Sequence, residues 1–144
     1  MAERCGFFNS TEGDIRTYSA DDFNQVLSGF LTDGVVGLLP EKTGSLTLRV
    51  GEGTALIDGH WYRNTADWQY TVSPTTDGGS RTDWIVLRYD KNAKTIGLLY
   101  REAPSELYDN TSYKEIKIAN VFVAPAYILS IQDQRQAIAL KGVN

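Results

Sequence analysis

From residue 45 to residue 131 one short alternating apolar run follows another, with nothing of helical period between them. Parallel strands need a crossover of a dozen or more residues, usually a helix, so consecutive strands joined by short turns are confined to antiparallel pairing. The runs are explicit. "SLTLRVGEGTALIDG" alternates at Leu46, Leu48 and Val50, then at Ala55 and Ile57, and "DWQYTV" sets Trp68, Tyr70 and Val72 on one face. "DWIVLRYD" and "TIGLLYRE" flank the polar connection "KNAK", as the arms of a hairpin should. "KEIKIANVFVAP" alternates at Ile116 and Ile118, then at Val121 and Val123, and the slip in phase at Ala119-Asn120 predicts a β-bulge. The expected fold is therefore mainly β: an antiparallel β-sandwich or barrel-like domain of six to eight strands.

Ahead of the strands lies one segment with a different period. In "YSADDFNQVLSGFLTDG", Ser19 and Asp22 form a capping box with Asp in place of Glu, and Tyr18 and Phe23 occupy the positions of a hydrophobic staple. Asp21 and Asp22 suit the positive end of the helix dipole. Phe23, Val26, Leu27, Phe30 and Leu31 then make one apolar stripe, which Asp33-Gly34 ends. This predicts one N-terminal amphipathic α-helix, about 20–31, with its stripe lying on something apolar. At 144 residues the chain reads as a single domain: an arm over 1–18, a helix segment over 19–32, the β-sheet region over 45–131, and a tail over 132–144 in which "DQRQAIALKG" can form a helical turn.

The stretch "TALIDGHWYRNT" holds the only histidine, His60, among aromatic neighbours and invites a reading as a site. Asp58-Gly59, however, is a strong hairpin signal, because a type I′ turn needs positive φ at both central residues. His60 is thus expected as an exposed turn residue, and no more than one of Trp61 and Tyr62 can share its pocket, since neighbours on a strand face opposite ways. One histidine and one cysteine permit a Ser-His-Asp or Cys-His set only around His60. No phosphate-binding glycine loop is present, and a zinc site would have to draw its ligands largely from carboxylates. The sequence gives no reason to expect a cofactor, a metal or a catalytic residue. A carboxylate pair acting on glycans is the weakest of the readings left open. Cys5 cannot pair within the chain and is expected to be buried or half-buried as a small apolar residue.

A net charge of −4 provides no basic footprint for nucleic acid, and no run approaches the roughly 18 apolar residues of a membrane span. The start "MAERCGFFNS" lacks the apolar core of a signal peptide, which predicts synthesis and folding in the cytoplasm of the producing cell.

The order of segments resembles a known family. "GFFNSTEGDIRTYSADDFNQVLSGFLTDGV", "SLTLRVGEGTALIDGHWYRNT", "SRTDWIVLRYDKNAKTI", "IANVFVAP" and "SIQDQR" are similar, in this order and over nearly the whole chain, to tail and baseplate proteins of long-tailed phages and prophages. The resemblance is to the N-terminal attachment domain of upper-baseplate or receptor-binding proteins. It implies a structural virion component made in the host bacterial cytoplasm, homo-oligomeric and often trimeric, that docks onto other tail or baseplate proteins. Many relatives carry a further host-contacting part, and this sequence stops at "IQDQRQAIALKGVN", soon after the family-like "SIQDQR", so assembly is the expected role.

Particular residues carry these expectations. Phe7 and Phe8 are candidate assembly contacts, because both cannot easily bury against one small arm. Asp83, Arg88, Asp133 and Arg135 occupy family-like positions expected to form structural ion pairs or caps. The alternative is a carbohydrate-binding β-sandwich recognising host-surface saccharide, for which Trp61 and Trp68 are the candidate platform.

Overall fold

In the computed structural model, which describes residues 5–142, the chain is mainly β, with 49% of residues in strands and 8% in helix. Residues 1–4 of the arm and 143–144 of the tail lie outside the described residues. Helix α1 (Ala20–Phe30) is followed by β1 (Gly34–Gly37), β2 (Pro40–Lys42), β3 (Thr47–Val50), β4 (Gly53–Ile57), β5 (His60–Asn64), β6 (Trp68–Thr71), β7 (Arg81–Asp90), β8 (Thr95–Arg101), β9 (Tyr113–Ala124) and β10 (Tyr127–Asp133). The ten strands pair antiparallel throughout and form three sheets, ordered β1-β4-β5, β2-β3-β6 and β10-β9-β7-β8. They share one core, so the domain is β-sandwich-like: Leu48 and Val50, Ala55 and Ile57, Ile85 and Leu87, and Val121 and Val123 meet in a single apolar cluster.

The strands outnumber those expected and begin earlier, at Gly34 rather than near residue 45. The first two are four and three residues long and contain glycine and proline, too short for alternation to register. The described residues of the tail are not helical. They run alongside the chain after α1, where Val35 donates to the Gln136 carbonyl, Thr32 to Ala139 and Lys141 to Phe30, each at 2.8 Å. Gly34 makes this approach possible, since a Cβ there would lie 2.7 Å from the Ala137 backbone.

The bulge in β9 falls one residue before the predicted slip. Ile85 pairs with Ala119 and Val86 with Lys117, which leaves Ile118 as the extra residue and lets Ile118 and Ala119 both bury. A second irregularity, at Leu129 in β10, left no mark in the sequence because Leu129 turns its side chain to solvent.

Helix α1 starts as its caps dictate. Asp22 N–H donates to Ser19 Oγ while the Ser19 N–H donates to the Asp22 carboxylate at 2.8 Å. Its orientation is not the expected one. No residue of α1 is buried, and the half-buried side comprises Asn24, Leu27 and Ser28. Leu27 and Leu31 of the apolar stripe half-bury, but Phe23 and Phe30 remain 48% and 66% exposed, so the Phe23, Val26 and Phe30 side of the stripe turns outward.

Gly59 fixes this seat. The Asp58-Gly59 turn has φ of 51° and 79°, and a Cβ on Gly59 would stand 2.1 Å from the Asn24 carbonyl oxygen. The hairpin turn therefore serves as the surface on which α1 rests. Gly59→Ala is expected to destabilise the domain by about 2 kcal/mol or more, from left-handed strain together with a displaced helix. Thermal melting followed by circular dichroism checks this, and an unchanged Tm would show that the helix is not held there.

Candidate functional site

Three groups of polar side chains order the domain. The first surrounds Asp83. Its position two and four residues before Ile85 and Leu87 places it on the core face of β7, and it is 0% exposed. Arg81 Nε donates to it at 2.8 and 3.0 Å, Tyr100 Oη at 2.5 Å and the Ala103 backbone N–H at 2.9 Å. Burial first, then the hydrogen bond to Asp83 and the charge of that carboxylate, hold the Tyr100 phenol far above its ordinary pKa. The phenol remains a donor, and Tyr70 stacks on its ring at 4.3 Å between centroids.

The second group occupies the opposite face of β7. Arg88 does not meet Asp83. It donates from Nε to Glu115 at 2.8 Å, and Arg101 Nη1 donates to the other carboxylate oxygen at 2.7 Å. The segment between β8 and β9 folds over this pair, with the Tyr108 N–H donating to Glu115 at 3.0 Å. The guanidinium of Arg101 sits 4.3 Å from the Tyr108 ring centre, and that of Arg88 sits 4.5 Å from Tyr113. Lys117 lies 3.8 Å over the Trp84 ring, and burial lowers its pKa.

The third group ties α1 to the sheets. Lys114 Nζ lies 2.7 Å from Asp58 Oδ1 and 3.0 Å from Asp33 Oδ2, while the Asp58 N–H donates to Asp33 Oδ1 at 2.8 Å. Burial works against the Lys114 charge, but the two carboxylates outweigh it and raise the pKa above the ordinary lysine value. Asp33 follows the helix, Asp58 lies in the turn beneath it and Lys114 lies in β9, so one ammonium joins three segments.

Asp133 and Arg135 make a forked pair, with Nη2 2.7 Å and Nε 2.9 Å from the carboxylate oxygens, while Arg135 Nη1 donates to the Gly37 carbonyl at 2.7 Å. The hydrogen bond from Arg135 is the main cause of the lowered Asp133 pKa, with burial opposing it. This pair pins the start of the tail to the end of β1.

The aromatic candidates separate. Trp68 is half-buried and stacks on Tyr70 at 5.7 Å, continuing the row toward Tyr100. Trp61 is 67% exposed and borders a cleft of about 480 Å³ that Trp68 does not line. His60 lies in the same cleft and is not the free turn residue expected. Its ring is half-buried against Tyr89, 4.7 Å between centroids, with Nδ1 3.3 Å from the Ile57 carbonyl oxygen. Tyr62, pointing the other way, packs against the core.

The arm and the outward side of α1 form a second surface. Phe7 folds back so that its ring lies 4.9 Å from Tyr18 and 6.2 Å from Phe23, yet Phe7 and Phe8 are each about half exposed. Val26 and Phe30 continue the apolar band along the helix. Cys5 is exposed at its edge, lining the hollow between arm and helix rather than burying as expected.

Among the described residues no group of His, Cys, Asp and Glu is clustered to hold a metal ion, and no helix is long and apolar enough to cross a membrane. What fold and surfaces define together is a β-sandwich-like domain bearing an apolar arm and helix on its exterior. No protein-family model, curated protein or solved structure matches the chain.

Proposed function

We propose that this chain is a non-enzymatic assembly module: one subunit of a homo-oligomer, expected to be a trimer, that docks onto other proteins of a phage tail tip or baseplate in the virion. The phage setting rests on the sequence resemblance. The assembly role is supported by one structural observation, the outward apolar band of Phe7, Phe8, Phe23, Val26 and Phe30. An amphipathic helix ordinarily buries its stripe, and burying one such side chain is worth about 1.5–3 kcal/mol. Here the helix rests on Asn24, Leu27 and Ser28 and keeps Phe23, Val26 and Phe30 outward, which supports a partner at that side.

Further copies of the chain are the occupants this reading assigns, because each copy presents the same band and three such bands can meet around a three-fold axis in a closed ring. Changing Phe7 and Phe8 together to serine is expected to weaken assembly, seen as a lower mass by light scattering, while the strand signal in circular dichroism persists. Global unfolding of that variant, or an unchanged mass, would remove the arm from the interface.

A further inference from the structure

The cleft beside Trp61 is built from groups that the assembly reading leaves unused. Ala20, Asp21 and Asn24 of α1 form one wall, and His60, Trp61, Tyr89, Lys91 and Lys94 form the other. Its volume of about 480 Å³ lies within the roughly 300–1,000 Å³ of small-ligand sites. The exposure of Trp61 is not a general property of its side of the hairpin, since Leu56, directly across from it in β4, is buried. Lys94 closes the turn between β7 and β8 at φ of 58°, a conformation that glycine or asparagine holds with less strain. Its ammonium makes no ion pair among the described residues. Lys91, by contrast, is steadied by donating to the Asn110 carbonyl at 2.6 Å.

We propose that this cleft binds an acidic saccharide. A pyranose ring stacks on the Trp61 indole, as an amphipathic ring does on an exposed aromatic face. Its carboxylate is drawn to Lys94 and Lys91. Asp21 and Asn24 receive and donate hydrogen bonds to ring hydroxyls. In the tautomer that donates Nδ1–H to the Ile57 carbonyl, His60 Nε2 is a further acceptor. The walls are fixed before any ligand arrives, because α1 rests on Gly59 and the turn is held by Lys114. Little ordering is then required on binding.

Calorimetric titration of the purified chain with hyaluronan and alginate oligosaccharides, and with neutral chitohexaose, tests this independently of assembly. The expected result is saturable binding of a uronate oligomer at least about tenfold tighter than chitohexaose, weakened by added salt. Trp61→Ala and Lys94→Glu should each weaken it by about tenfold or more while leaving oligomer mass and circular dichroism unchanged. No binding of either uronate oligomer, equal affinity for the neutral sugar, or affinity unmoved by Lys94→Glu would overturn the proposal. Lys94→Glu carries the test by itself if Trp61→Ala fails to fold.

Discussion

Phe23→Asp combined with Phe30→Asp is expected to convert the proposed oligomer into folded monomers. Phe30 is largely and Phe23 about half solvent-exposed within one chain, so in the monomer the double variant should cost about 1 kcal/mol, mostly through loss of the Phe7–Phe23 ring contact. In the assembly each chain would instead lose two buried phenylalanines and have to desolvate two carboxylates. At about 1.5–3 kcal/mol per ring before any charge penalty, the dissociation constant should rise by roughly a thousandfold or more. Sedimentation velocity at micromolar concentration would show the change, with circular dichroism reporting that the strands remain. Retention of the wild-type mass would mean that this side of α1 is not the interface.

Asp83→Ala should have the largest effect on the fold itself. The substitution deprives Arg81, the Tyr100 hydroxyl and the Ala103 N–H of their shared acceptor, in a site with no exposure to solvent. Breaking a buried, hydrogen-bonded charge by removing one partner costs about 3–5 kcal/mol, a large share of the roughly 5–15 kcal/mol that holds a domain together. For a chain of this size the Tm should fall by about 10 °C or more. Arg135→Ala provides the contrast, because the Asp133–Arg135 pair is partly exposed and such pairs contribute about 0–1 kcal/mol. If the two variants melted alike, the distinction between the buried and the exposed carboxylate would be wrong.

The parts of this structure that obey local rules were legible in the sequence. Ser19 and Asp22 announce where α1 begins, Asp58-Gly59 announces a turn, and the alternation in "SLTLRV" and "DWIVLRYD" assigns the core faces, because capping and pleat depend only on near neighbours. Asp83 was also readable in principle: its parity with Ile85 and Leu87 puts a carboxylate on a core face, which demands buried partners. Which partners these are depends on the pairing of β7 with β8, and the meeting of Glu115 with Arg88 depends on the register set by the bulge at Ile118.

The side on which α1 rests could not be read either. Periodicity reveals that Phe23, Val26 and Phe30 share a stripe but does not say whether that stripe meets the chain's own sheet or another molecule. Gly59 decides it, through an approach to Asn24 across 35 residues of sequence that no local pattern encodes. The same packing brings Ala20, Asp21 and Asn24 opposite Trp61 and so makes a cleft from segments that separately signalled only a helix start and a hairpin.

If further copies of the chain cover the outward apolar band, absolute mass by light scattering across a dilution series will show it. The expected result is a closed oligomer that persists on dilution, a trimer at three times the 16.0 kDa of one chain. A monomer at every concentration would contradict it.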